Sequence, residues 1–138
     1  MEIELNLLNK AYHFEAKNEQ GNTISIDASP AIGGENNGPR PMELLIMGLG
    51  GCSGIDVLSI LRKQKIEPSG FRIKLHAERE KDAIPSLFTD IVIEFIFEGG
   101  IDANKAERAV QLSLDKYCSV SKTLEKTAKI SHKVTVLP

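Results

Sequence analysis

The sequence predicts an α+β domain, and three observations carry that reading. Before residue 29, three short stretches alternate polar and apolar residues with the period of a strand. A single long apolar run with helical spacing, opened by Pro41, follows. After it come two longer alternating stretches, two helical segments and a last alternating stretch. The order is β-β-β-α-β-β-α-α-β. There is no internal repeat and no linker, and 138 residues suit one domain, 1–138.

Residues 2–7 and 11–17 read as strands around a turn at Asn9-Lys10. In the second, Tyr12, Phe14 and Ala16 alternate with His13, Glu15 and Lys17. Glu19-Gln20-Gly21-Asn22 is a turn signal, and residues 23–28 form a third strand with Ile24 and Ile26 on one face. Residues 29–41 hold so many Pro and Gly that regular structure is not expected there. A loop of that length inside a compact domain points to a functional role.

Pro41 fits the first helical position of a helix running to about Lys65, with Arg62-Lys63-Gln64-Lys65 at its negative end. Its polar residues Ser53, Asp56, Ser59 and Lys63 trace a narrow stripe, so the helix should be nearly surrounded by protein. Gly48, Gly51 and Gly54 each cost about 1 kcal/mol against Ala. Close approach of another backbone would justify them, and a crossing helix from a second subunit is the candidate. Residues 71–79 and 87–98 read as a hairpin, with Phe71, Ile73, Leu75 and Ala77 alternating in the first strand and Ile91, Ile93, Phe95 and Phe97 on one face of the second. Asp102 can cap a helix over 103 to about 117. Ser119 can cap a short helix through Leu124, and residues 129–137 close the fold as a strand.

Composition removes several function classes. The net charge is -2 and no basic patch stands out, which argues against a nucleic-acid partner. The start, Met1-Glu2-Ile3-Glu4-Leu5, lacks the basic region of a secretory signal. The run 44–61 contains Cys52 and Asp56 with several Ser and Gly, so a buried helix is preferred to a membrane span. Two cysteines are too few for a secreted disulfide scaffold, and a reduced, cytoplasmic thiol pair is expected. His13, His76 and His132 show no ligand spacing, and no phosphate loop or Ser-His-Asp set is present, so neither metal nor cofactor is expected.

Chemistry therefore rests on the cysteines, Cys52 in Gly50-Gly51-Cys52-Ser53-Gly54-Ile55-Asp56 and Cys118 in Tyr117-Cys118-Ser119-Val120-Ser121-Lys122-Thr123-Leu124. A thiolate is the strongest nucleophile among ordinary side chains. One cysteine in a glycine-rich helix and another far along the chain suit an attacking thiol and a resolving partner. Asp56, one turn past Cys52, would raise a thiol pKa if charged and close, or serve as a hydrogen-bonded polar group at a dimer seam.

These two motifs, with Gly38-Pro39-Arg40-Pro41-Met42-Glu43-Leu44-Leu45 ahead of the first, and the order of elements over the whole chain resemble the OsmC/Ohr family of thiol-dependent peroxidases. The resemblance implies an OsmC-like fold, an intertwined homodimer whose antiparallel sheets wrap two central helices. It implies reduction of organic hydroperoxides by Cys52, with Cys118 closing a disulfide that a dithiol reductant reopens. The Ohr branch of that family carries an activating Arg in the first hairpin, whereas residues 1–39 here contain no Arg. Its glutamate directly follows the helix-opening Pro, where this chain has Met42. Arg40 paired with Glu43 is the expected replacement, with Lys17 as the alternative cation. Glu43 and Cys52 are nine residues apart in sequence, about 13–14 Å along a helix, so they would meet only between subunits. The non-enzymatic alternative is a dimer of this fold that binds an apolar small molecule at its interface, its cysteines unused or redox-sensing.

Overall fold

The structure, a computed structural model, describes residues 1–138. Contacts divide the chain into two compact units, Met1–Leu45 and Ile46–Pro138.

The first unit is an antiparallel sheet of β1 (Glu4–Leu7), β2 (Phe14–Lys17) and β3 (Thr23–Ile26), in that order. Its strands are shorter than their alternating patterns suggest, for identifiable reasons. The Asn9 side chain accepts the N–H groups of Ala11 (3.0 Å) and His13 (3.1 Å), and Leu8 N–H bonds the His13 carbonyl. Residues 8–13 are thereby drawn into a turn. At the other end Asp27 leaves the ladder. Its buried carboxylate accepts backbone N–H groups from Ala28, Glu35 and Asn37, while its own N–H bonds the Pro39 carbonyl. Those bonds, foremost that from Asn37, hold its pKa below the ordinary carboxylate value. The Pro/Gly-rich segment is thus folded around one acid, and it contains a 3₁₀ turn at Pro30–Ile32 where no regular structure was expected.

The second unit is a sheet ordered β4 (Gly70–Arg79), β5 (Phe88–Glu98) and β6 (Lys129–Val136). The first pair is the expected hairpin, in the register Phe71↔Phe97, Ile73↔Phe95, Leu75↔Ile93 and Ala77↔Ile91. Ile91, Ile93, Phe95 and Phe97 are fully buried, and Phe71 stacks on Phe97 at 4.7 Å between centroids. The pairing of β5 with β6 is parallel. Parallel neighbours need a crossover of a dozen or more residues, and the helical segments between Ala103 and Leu124 supply it.

The long helix α1 (Pro41–Lys63) begins in the first unit and continues through the second. Its length and mean hydropathy of 1.9 would satisfy a membrane span. One row of it nevertheless behaves as a core helix. Leu49, Gly50, Ser53, Gly54, Val57 and Leu61 are buried, and Val57 and Leu61 each contribute about 1.5–3 kcal/mol by that burial. The glycine spacing divides between two tasks. A Cβ on Gly54 would lie 2.8 Å from Ile73 Cδ1, and one on Gly50 3.0 Å from Leu75 Cδ1, so these two let the helix settle onto β4. Gly48 and Gly51 face open space, in line with exposed Met47 and Ile55. Enclosure of the helix, expected on all sides, is met on one side only within a single chain.

Candidate active site

Cys52 lies in the middle of α1 and is half-buried; Cys118 is fully buried, and both are free thiols. The path that brings Cys118 inward starts at Asp102, whose carboxylate accepts the Lys105 N–H (3.0 Å) and caps α2 (Ala103–Leu112) as expected. The helix predicted to continue unbroken to 117 instead widens into one π-turn, Ser113–Tyr117, closed by a 2.7 Å bond from Cys118 N–H to the Ser113 carbonyl. Single π-turns recur at functional sites because the extra residue re-aims side chains. Cys118 then takes an extended conformation and begins α3 (Ser119–Leu124). The cap of α3 is therefore Cys118 and not Ser119. A cap residue needs non-helical backbone, and Ser119 is already the first helical residue. The Cys118 sulfur accepts the Ser121 N–H at 3.3 Å.

The sulfurs of Cys52 and Cys118 and a carboxylate oxygen of Asp56 all lie within 4.8 Å of one another. Burial pushes the Cys118 thiol up to about 12. The hydrogen bond with Cys52 adds to the shift, and the Ser121 N–H works against it. Asp56 is held from across the helix interface: Ser113 Oγ donates to its Oδ2 at 3.1 Å and also approaches the Ser53 carbonyl at 3.4 Å. Ser113 and Ser53 are both wholly buried. Asp56 also borders an open groove of about 440 Å³, with Ser59, Lys63, Leu112 and Tyr117 on its walls. A larger but shallower groove, about 590 Å³, lies in the first unit between Met1 and Lys17 and contains no thiol. Two sulfurs and one carboxylate oxygen are three of the four donors that a structural zinc takes, and no further His, Cys, Asp or Glu joins them.

Arg40 and Glu43 meet, but through the backbone. Glu43 Oε1 accepts the Arg40 N–H at 2.8 Å, the arrangement in which an acid at the third helical position reaches back to the cap residue. The Arg40 guanidinium donates to the Gly38 carbonyl and to Asn36 Oδ1, both at 2.9 Å. The histidines are occupied elsewhere: His13 with Ser25, His76 with Glu78 and His132 with Glu107. Sequence reasoning passed over Ser113 and Asp27. A serine between Leu112 and Leu114 on an otherwise apolar helix face was the available signal for the first. For the second it was an acid directly before a Pro/Gly-rich loop.

Comparison with known proteins finds relatives along nearly the whole chain. The family described as OsmC-like protein matches residues 34–133, a span that includes Arg40, Glu43, Cys52, Asp56 and Cys118. Protein YhfA of Escherichia coli (strain K12) is 39% identical over 125 residues, 90% of each chain. The crystal structure of a hypothetical protein from Aquifex aeolicus VF5 is 35% identical, with a TM-score of 0.80 over 98% of this chain and 96% of that one. An organic hydroperoxide resistance protein OsmC from Legionella pneumophila shares the fold at 14% identity, with a TM-score of 0.73 over 97% of this chain and 95% of its own. With the motifs of both cysteines inside the matched span and more than a third of residues shared with relatives along nearly the whole chain, this protein belongs to the OsmC-like family.

Proposed function

We propose that this protein is a thiol-dependent peroxidase for organic hydroperoxides, with Cys52 the attacking and Cys118 the resolving residue. The observation that carries the reading is the meeting of the two thiols, 66 positions apart in a 138-residue chain (118 − 52), with sulfurs no more than 4.8 Å apart. In the first step the Cys52 thiolate attacks the terminal oxygen of R–O–OH. The O–O bond breaks, Cys52 becomes a sulfenic acid, and the alkoxide leaves and is protonated to R–OH. In the second, Cys118 displaces the hydroxyl from Cys52 and a disulfide forms. A dithiol reductant returns both thiols. Leu49 and Ile55 flank Cys52 on α1, and apolar surroundings favour an alkyl hydroperoxide over hydrogen peroxide. Arg40 is the proposed activating cation, with Glu43 fixing its backbone, and Lys17 is second choice.

The working unit is proposed to be a homodimer of single-domain chains in a reducing cytoplasm. Its support is the apolar row that α1 leaves open, where Ile55 is 68% exposed and Met47 55%. An exposed apolar row on a helix suits a surface that a second copy would cover. Two open glycines on α1 would let a second helix approach closely.

The test treats reduced protein with one equivalent of cumene hydroperoxide and maps the products by mass. A Cys52–Cys118 disulfide is expected in the wild type and a trappable sulfenic acid on Cys52 in Cys118→Ser. Cys52→Ser should consume no peroxide, and Arg40→Ala should consume it more slowly. Absence of Cys52 sulfenic acid in Cys118→Ser, with the wild type unchanged by peroxide, would return the protein to the non-enzymatic reading.

A further inference from the structure

The resolving step presents a proton problem. Cys118 is fully buried, yet its sulfur must be a thiolate to attack. Cys52 cannot take the proton at that moment, because it has already become a sulfenic acid. No His or Glu joins the group of atoms around the two sulfurs; the one carboxylate there is Asp56, within 4.8 Å of both. Its Oδ2 is fixed by the buried Ser113 hydroxyl at 3.1 Å, and the π-turn is what places Ser113 there. Asp56 also borders the groove shared with Lys63 and Tyr117, so the water formed in the step has a way out.

We propose that Asp56 is the general base of disulfide formation, accepting the Cys118 proton as Cys118 attacks Cys52, with Ser113 as its positioning residue. The inference rests on the Cys52–Cys118 chemistry proposed above. The step balances without a further reagent. The Cys118 proton passes to the Asp56 carboxylate, the S–S bond forms, and the S–O bond of the Cys52 sulfenic acid breaks with its electron pair going to oxygen. Protonated Asp56 then gives its proton to the departing hydroxide, which leaves as water. Cys118 is oxidised, the sulfenic sulfur is reduced, and Asp56 is regenerated. The Ser121 N–H at the Cys118 sulfur steadies the negative charge that develops there.

The role is opposite in sign to that of a bystander charge. A carboxylate that only repelled the thiolate would slow resolution, and removing it would speed the reaction. The experiment separates these without using peroxide. Cys52 is converted to its methyl disulfide with one equivalent of methyl methanethiosulfonate in chelator-containing buffer, and displacement of the methylthio group as methanethiol, when Cys118 attacks the Cys52 sulfur, is followed by mass spectrometry. Asp56→Asn should slow that loss by about 100-fold, Asp56→Glu should recover to within about tenfold of wild type, and Ser113→Ala should cost about 3–10-fold. Circular dichroism melts of each variant accompany the rates. Release from Asp56→Asn at the wild-type rate or faster overturns the proposal, as does equal slowing in Asp56→Glu with a lowered melting temperature. If hydroperoxide leaves the wild type unoxidised while Asp56→Asn still slows methylthio loss, the peroxidase reading falls and the role of Asp56 stands. If the wild type reduces hydroperoxide and Asp56→Asn resolves normally, the reverse holds.

Discussion

The two cysteines share one cluster but are supported in different ways. Cys52 sits in mid-helix and half-exposed, beside an open row of α1 that includes Gly48, Gly51 and Ile55. Cys118 is sealed at a junction, where a π-turn ends, a short helix begins and its own sulfur serves as the cap. Nothing in α1 depends on the Cys52 side chain for its hydrogen bonds, whereas the start of α3 depends on the Cys118 sulfur. An attacking thiol needs access for substrate. A resolving thiol needs a fixed position and protection from premature oxidation. The difference in support suits the division of roles proposed above.

Chemical labelling should break or sharpen the comparison most strongly. With its pKa pushed up to about 12, Cys118 at pH 8 holds only about one part in 10⁴ as thiolate, against about a quarter for a free thiol near 8.5. Iodoacetamide mass-mapped at pH 8 should therefore modify Cys118 roughly 10³-fold more slowly than a model thiol, before burial slows it further. Labelling of Cys118 at the rate of a peptide thiol would remove the asymmetry.

A second difference should be visible in stability against pH. The folded pKa of Cys118 lies above the ordinary value of 9.0, so the native state keeps a proton that the unfolded chain releases. This contribution is whole below about pH 9 and is lost as pH rises toward 12. The urea midpoint of the wild type should fall more between pH 8 and pH 10.5 than that of Cys118→Ser, with Cys52→Ser as the control. Parallel declines in wild type and Cys118→Ser would count against a buried, protonated Cys118.

The smallest effect is the loss of the cap. Cys118→Ala leaves the Ser121 N–H without its acceptor and should cost about 1 kcal/mol. Cys52→Ala should stay within about 0.5 kcal/mol, because no hydrogen-bond ladder runs through that side chain. Denaturant melts of the two reduced variants measure the difference, and equal losses would mean that the sulfur cap is not a structural element.

The order and type of the elements were legible because strands and helices bury one face with different periods, and that periodicity survives in the chain. Ile91, Ile93, Phe95 and Phe97 alternate in sequence and are all buried on one face. Asp102 before a helical pattern is its cap. Pro41 is the first helical residue, as its fixed φ favours, while Glu43, expected as the partner of Arg40 at the thiol, accepts the Arg40 N–H at that helix start. Where local side chains compete for backbone N–H groups, the pattern misled. Asn9 shortened the strands around it, and Asp27 gathered the following loop.

The sequence by itself determined that there are two thiols, that one lies in a glycine-rich helix and the other beside a helix start, and that an α+β chain carries both. Those properties are local, set by residue type and by spacing within a few turns. The tertiary structure decided which atoms meet. The parallel pairing of β5 with β6 requires the crossover that contains the π-turn, and the π-turn brings Ser113 and Cys118 to α1. Only then does Asp56 lie within 4.8 Å of both sulfurs. No short-range pattern encodes that distance, because it depends on how a strand, a turn and a helix far apart in sequence pack against one another.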